Sequence, residues 1–414
     1  HPAFVATPTS AAEVSAIIVQ AASLGLRVVP QATGHGAGGS IGGDTIIIDT
    51  RGLDTLTIDP EARVATAGTG LTWGVINTEA EKHGLLGLAG SAATVAIAGF
   101  TFGGGLGWLT RPHGMASAAL RTVEYVDGWG AIRVASDDAA DALDREALWA
   151  FRGGGGVGIA TRLTFDLYPV GSLYAGYLLW PIEALDAVVG AWANAIGTVG
   201  PAVATSISVL HAPPAPPFPP ERQGQPLVHL AVASTEGEDG ALPLLEAVRG
   251  ASAAQVDTWA PATANELGGI HLDPPSAVPA IGFARWLSAE TPTSASAILS
   301  VAASADSPLA LIEIRSLGND AEARDGAETT VPGPFALHAV GALLDPSGRP
   351  AIDQAFGAVG EASAGVDVGR SIGSWVEGGA SVPDALPADV RDRVARVFDA
   401  IDPLQVIART RYLV

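Results

Sequence analysis

Apolar residues first recur at helical spacing, where Val14, Ile17, Ile18 and Ala21 follow a Ser10 and Glu13 pair whose side chains can each satisfy a free amide at a helix start. Gly25 ends that helix. The period then changes. Short β-branched runs at 27–30, 45–49, 55–59 and 63–67, separated by Gly, Asp and Pro, predict small strands, and a helix over 72–83 closes at Gly84. Residues 94–107 begin as a helix and end in a glycine run that cannot stay helical. Runs at 121–126 and 131–135, joined through Asp127-Gly128-Trp129-Gly130, predict a hairpin. A short helix around 146–151 then leads into the glycines at 153–158 and a strand over 159–167, so a first unit ends near Pro169.

Beyond residue 170 alanine-rich helices (182–195, 241–248) alternate with strand-like runs (227–233, 309–314, 335–343). That alternation predicts an α+β unit with helices on one sheet face. A stiff proline-rich surface loop is expected at 213–220, and a helix at 388–400. The expected organisation is one domain over 1–170, a second over 171–365, and a segment 366–414, with its Asp402-Pro403, that returns to the first. No internal repeat is visible.

Composition narrows the function. Of 414 residues 48% are hydrophobic and 16% charged, the balance of a folded globular chain. A formal charge of -21 with only 22 basic residues repels phosphate backbones and anionic lipid, so neither nucleic acid nor membrane is an expected partner. No apolar run reaches the roughly 20 residues of a membrane span. The absence of cysteine removes disulfides, thiolate metal sites and cysteinyl chemistry. The chain opens on His1 without Met or a basic, apolar leader, which points to a trimmed segment or to residues before position 1. Compartment stays open between cytoplasm and secretion for a soluble protein, and nothing sets its oligomeric state.

The chemistry-bearing features are glycine loops at 34–39, 99–107 and 153–158. Exposed amides in such loops can neutralise phosphate oxygens without lysine; in a chain with 51 glycines, three separate tight turns are the plainer alternative. Gly153, Gly155 and Gly158 spell G-x-G-x-x-G, but a helix precedes them and a strand follows, the reverse of a nicotinamide-type Rossmann site. No H-x-x-x-H spacing, G-x-S-x-G elbow or Walker loop is present, so no metal site is expected and hydrolase and phosphotransferase readings fall. His83, His211, His229 and His271 read as structural or surface residues. One imidazole differs: His35 stands among glycines in Gln31-Ala32-Thr33-Gly34-His35-Gly36, directly after a short strand.

Five segments in order carry a resemblance: Pro8 to Val14, Gly34-His35-Gly36, Gly43 to Leu53, Gly99 to Arg111, and Ala147 to Gly156, with the terminal Asp402-Pro403 besides. The first 170 residues resemble the FAD-binding domain of the vanillyl-alcohol oxidase and p-cresol methylhydroxylase type, most closely that of bacterial berberine bridge enzyme-like oxidases. The resemblance implies a two-part FAD-binding domain with an inserted substrate domain, an antiparallel sheet covered by helices. It implies FAD held by Gln31, Ala32, Thr33, Gly34, His35 and Gly36, by Gly90, Ala92 and Thr94, by Gly99, Thr101, Gly103, Gly104, Gly107 and Trp108, by His113, and by Gly158 and Ile159. His35 occupies the position whose imidazole bonds to the flavin 8α carbon; Ala92 stands where many relatives carry a second, cysteinyl link. One covalent link at most is therefore possible. The sequence departs from the family where Arg-x-Gly-Gly-His reads Gln31 to His35, where the Asn-Phe after the 153–156 glycines is missing, and where Asn-Tyr or Asn-Phe reads Ser374-Trp375.

The same resemblance implies hydride transfer from an alcohol, sugar or amine-bearing metabolite of secondary metabolism to flavin N5, a base for the substrate proton, and reoxidation by O2 to hydrogen peroxide. A dehydrogenase using another acceptor and a non-catalytic flavin-binding protein are the alternatives. The family's catalytic Glu aligns with Ala336, so the base must be sought elsewhere. His338, two residues on and on the same strand face, has an ordinary pKa suited to neutral proton abstraction, or is merely packed in the sheet. Glu313 shares a face with Arg315 and can bind a polar substrate; a solvated face with an ion pair is the plainer reading. Tyr412 is the third catalytic candidate.

Overall fold

The computed structural model describes every residue except 38–40, 213–217, 219–221, 275–277, 319–320, 379–380 and 414. Gly38, Gly39 and most of the proline-rich loop therefore lie outside the described residues. No described helix is long and apolar enough to cross a membrane.

Among the described residues the N-terminal part holds two small sheets and an antiparallel pair of two-residue strands, Leu85–Leu86 with Tyr168–Pro169. Phe4–Ala6, Thr45–Asp49 and Arg27–Gln31 form a parallel three-stranded sheet in that order. Helix Ala11–Leu24 precedes Arg27–Gln31, started by the Ser10 hydroxyl on the Glu13 amide and ended by Gly25 in the left-handed region, as its sequence signals require. A five-stranded antiparallel sheet runs Leu56–Asp59, Val64–Gly68, Ile159–Asp166, Leu120–Val126, Ile132–Ser136. The helix before the 153–156 glycines spans Ala142–Phe151, a turn earlier than the sequence pattern suggests, because Asp141 caps it through the Leu143 amide.

The larger sheet has nine strands, all antiparallel, with core order Tyr174–Pro181, Pro226–Ser234, Val203–His211, Leu309–Ser316, Phe335–Ala342, Ala280–Leu287, Asp367–Ser371. Asp367–Ser371 pairs inside this sheet, so the sheet continues past position 365, where the sequence pattern ends it. Strand alternation divides its side chains. Ile207, Val209, Val228, Leu230, Ile312, Ile314 and Leu337 pack with helices Leu185–Ala195, Leu242–Ala251, Ala295–Ser300 and Arg349–Ser363. The opposite face carries Ser206, Ser208, His229, Glu313, Arg315 and His338, all buried or nearly so.

The chain is an α+β protein whose two sheet systems meet through that polar face. After helix Ala388–Ile401 the chain returns to the N-terminal part. There the Asp402 carboxylate accepts the Val406 and Ile407 amides, and the Val28 amide and carbonyl bond to the Val406 carbonyl and the Ala408 amide.

Candidate functional site

Two loops meet at His35. Gly34 takes a φ of 82°, turning the chain so that the exposed His35 ring reaches residue 94, where its Nε2 lies 3.0 Å from the Thr94 hydroxyl. A Cβ added at Gly36 or Gly99 would meet open space, so bare main chain faces outward on either side of this contact. Segment 97–102 is a short helix, and at Gly104 and Gly105 the backbone turns to φ values of 97° and 73°, which side-chain-bearing residues avoid. At Gly107 a Cβ would come within 1.7 Å of the Ala89 carbonyl, which shows how closely the glycine run approaches the 87–94 loop. A small cleft of about 30 Å³ follows the seam, lined by Trp73, Gly90, Ala93, Trp108, Leu267 and their neighbours.

The C-terminal residues close the other side of the glycine run. A Cβ on Gly103 would touch the Tyr412 hydroxyl and Ser374 Cβ, and one on Gly155 would touch Thr410 and the Tyr412 ring. Thr101, Ser374 and Thr410 each bury a hydroxyl without a hydrogen-bond partner, and the Trp108 indole N–H is likewise unpaired. Unpaired buried polar atoms beside bare glycine backbone fit a large polar heteroaromatic cofactor. Ala32, Thr33, Gly90 and Ala92 lie in the same two loops, and Gln31 ends the strand that leads into the first. Gly158 faces the Tyr125 ring and Ile159 is wholly buried in its strand, so neither offers an open surface. His113 stacks on Tyr168 with ring centroids 4.2 Å apart, and burial pushes its pKa down.

Across the seam, the polar face of the large sheet carries a row of charge. Register places His229, Ser208, Glu313 and His338 opposite one another on adjacent strands. Glu313 is wholly buried: Ser206 donates to it at 2.5 Å, Arg315 at 3.1 Å, and His271 Nε2 lies 3.2 Å away. His271 Nδ1 stands 2.7 Å from Asp273, and His338 lies 3.5 Å from Glu313 through Nδ1 and 3.3 Å from Glu377 through Nε2. The Glu377 carboxylate occupies the space above Gly282, where any side chain would overlap it. Arg315 lies between two indoles, 5.0 Å from the Trp108 ring and 4.8 Å from Trp375, so the glycine run and the charged row touch directly.

Charge states follow from this geometry. Burial alone would raise the Glu313 pKa, yet Arg315 and His271 hold it well below the usual carboxylate range. Burial opposes charge on both imidazoles, but Asp273 and Glu313 raise His271 to about 9, and Glu377 with Glu313 raises His338 to about 10. Asp273 falls to about 2, because His271 outweighs its burial. His229, buried and beside the charged His271, drops to about 4; its Nδ1 accepts from Ser208 and its Nε2 donates to the Ile270 carbonyl.

Two expectations are corrected here. Glu313 and Arg315 form a buried pair, not a solvated face, because the N-terminal part covers this side of the sheet. His338 does share a site with Glu313, but two carboxylates keep it an imidazolium at neutral pH, so it is not a resting base. Ala336 lies in an apolar cluster with Leu106, Met115 and Trp286. Tyr412 is buried, and burial together with Glu328 raises its pKa, keeping the phenol neutral. Glu328, which accepts from Arg370, is itself raised to about 7 by burial. His271, Asp273, Glu377 and Glu328 went unrecognised in the sequence; only the His-x-Asp spacing at 271–273 is a local signal.

The fold and site define a flavoprotein. Residues 2–136 match the FAD binding domain family model, and this part of the chain is an FAD-binding domain. Over 205 residues, 48% of the chain, it is 31% identical to an FAD-dependent monooxygenase of Fusarium proliferatum; over 183 residues, 44% of the chain, it is 30% identical to (R)-6-hydroxynicotine oxidase of Paenarthrobacter nicotinovorans. These matches span only 38% and 39% of those proteins' lengths. The whole architecture is shared with the berberine bridge enzyme-like protein 1 of Physcomitrella patens, at a TM-score of 0.80 and 16% identity over 98% of this chain and 89% of that one.

Proposed function

We propose that the chain is an FAD-dependent oxidase of a small alcohol, sugar or amine-bearing molecule, and that the charged row handles the substrate proton. FAD, when bound, supplies the acceptor for a substrate hydride and returns the electrons to dioxygen as hydrogen peroxide. The observation that carries the reading is Arg315 set between Trp108 of the glycine run and Trp375, with Glu313 and His338 beside it.

His35, Thr94 and the open backbone at Gly36 and Gly99 hold the cofactor. The hydrogen bond between His35 Nε2 and the Thr94 hydroxyl leaves Nδ1 for the single covalent link. On the substrate side, His338 and Arg315 favour a developing oxyanion, while Glu377, only partly buried and 3.3 Å from His338, accepts the O–H or N–H proton and passes it to solvent. The Trp375 ring lies against His338, centroids 5.1 Å apart and tilted by 38°, and keeps water from that side of the pair.

The test is spectroscopic first. Purified protein is expected to be yellow, and colour that stays in the acid-precipitated pellet shows the covalent link, which His35→Ala abolishes. Anaerobic mixing with a panel of alcohols, sugars and amines is expected to bleach the flavin, with peroxide on admission of air. Bleaching without peroxide assigns another electron acceptor; colour with no bleaching by any compound favours a flavin-binding protein without catalysis.

A further inference from the structure

Trp375 and Glu377 stand on the segment that leaves strand Asp367–Ser371, so whatever holds that strand end also places them. Its pairing within the sheet is irregular, with a register shift between Arg285 and Leu287 of the neighbouring strand. A further hold comes from outside the sheet. Arg370 of this strand donates to the Glu328 carboxylate and to the Ala385 carbonyl, and the Glu328 side chain is only 5% exposed. Glu328 is fixed in turn, through its main chain, to the N-terminal part: its amide donates to the Arg152 carbonyl at 2.9 Å, and its carbonyl accepts from the Ser117 hydroxyl at 2.7 Å. The Ser117 amide donates to the Gly104 carbonyl at 2.9 Å, inside the glycine run. A Cβ on Gly153 would come within 2.1 Å of the Glu328 carbonyl oxygen, so main chain packs directly on main chain there.

We propose that Glu328 is a positioning residue: anchored by its main chain beside the glycine run, it holds Arg370 and so sets where the 372–377 segment places Trp375 and Glu377 against the charged row. This rests on the proposed use of Glu377 in proton transfer. The path from Arg370 to the site is short. The Ile372 amide donates to the Ala284 carbonyl at 3.2 Å and the Trp375 amide to the Ile372 carbonyl at 3.0 Å, so one turn carries the strand end into the segment. Gly373 in that turn lies on the Tyr412 ring, which a Cβ would meet at 2.2 Å. Trp375 then lies over Arg315 and against His338, and Glu377 faces His338 at 3.3 Å. Arg411 holds the Val376 carbonyl from the C-terminal side, which leaves Glu328 as the anchor at the start of the segment. Arg370 Nε is already buried without a partner, so removing the Glu328 acceptor leaves a poorly satisfied guanidinium and frees the strand end. Two carboxylates face His338, Glu313 from the adjacent strand and Glu377 from this segment. Only the hold of Glu377 then weakens.

The experiment titrates the ring nitrogens of His338 and His271 by NMR in the full chain, without substrate. Wild type is expected to lose these protons near pH of about 10 and about 9. Glu328→Leu lowers the His338 value by about 1 pH unit, part of what one facing carboxylate is worth, and leaves His271, held by Asp273 and Glu313, in place. Glu328→Gln, which keeps an acceptor oxygen for Arg370, restores the His338 value. Glu328→Leu combined with Arg370→Leu leaves no unpaired guanidinium, gives the same fall, and decides the matter if the single variant does not fold. An unshifted His338 in the Leu variants, an equal shift of His271, or a Gln variant that fails to restore His338 overturns the proposal. Flavin reduction in Glu328→Leu is expected to slow by about 10-fold or more, as for a small misplacement of a reacting group. A shifted His338 with wild-type reduction rates in both Glu328→Leu and Glu377→Gln overturns the proposed reaction and not the positioning.

Discussion

His338 shows how a residue's neighbours decide its chemistry. An isolated imidazole titrates near about 6.5 and would serve as a base at neutral pH; between Glu313 and Glu377 it keeps its proton to about 10. Its use in the proposed reaction is therefore as a cation that steadies negative charge, with Glu377 as the acceptor. Glu377→Gln is expected to slow flavin reduction by about 10²-fold, the usual worth of one proton-transfer group, while leaving flavin content unchanged. The rate in wild type should fall as pH rises through about 10, where His338 loses its charge. In Glu377→Gln that alkaline fall moves to lower pH, since one of the two facing carboxylates is gone. Stopped-flow reduction across pH checks both, and an unchanged rate in Glu377→Gln removes this carboxylate from the reaction.

At the scale of elements, local period made much of the fold legible. Helix Ala11–Leu24 was readable because its cap, its buried stripe of Val14, Ile18 and Ala21, and its terminal glycine are all adjacent in sequence. The same holds for the hairpin of Leu120–Val126 and Ile132–Ser136. Strand Asp367–Ser371 was not readable, with two glycine-flanked and charged positions and little alternation; only its pairing with Ala280–Leu287 makes it a strand. Gly282 on that neighbouring strand has a role that only pairing explains. It leaves room for the Glu377 carboxylate and the Trp375 carbonyl, which a Cβ would meet at 1.7 and 2.6 Å. Gly282→Ala should therefore displace segment 375–377, at a stability cost of about 1–3 kcal/mol, and reproduce the slow reduction of Glu377→Gln. Thermal melts and flavin reduction measured on the same variant check this; a fast enzyme with Ala at 282 would show that Glu377 need not stand there.

At the scale of the whole molecule, the loops proposed to hold the cofactor were legible as glycine runs, but the charged row was not. Its members come from separate strands and loops, with His271 and Glu313 lying 42 positions apart and His338 and Glu377 lying 39 apart. Sheet register and the covering N-terminal part bring them together and bury them, and neither is written in local spacing. Burying so many charges has a consequence for the entire fold. His271 and His338 have folded-state pKa values raised to about 9 and about 10, so the stability they contribute is complete below their unfolded value of about 6.5 and is lost as pH climbs through 9 to 10. Glu328, raised to about 7, adds a term of the same sign at lower pH: its contribution is complete below about 4.5 and lost by about 7. Asp273, lowered to about 2, acts oppositely and costs stability only as pH falls below its ordinary range. The formal charge of -21 adds self-repulsion that also grows with pH and that salt screens. Melting temperature is thus expected to peak on the acidic side of neutrality and to fall by several degrees toward pH of about 9.5. High salt should recover the part due to surface charge and leave the loss due to the buried imidazoles. Glu328→Gln should flatten the curve between about 4.5 and about 7 without altering the alkaline fall. A melting temperature that rises from pH of about 5 to about 9 would show that the row does not hold its protons in the folded protein.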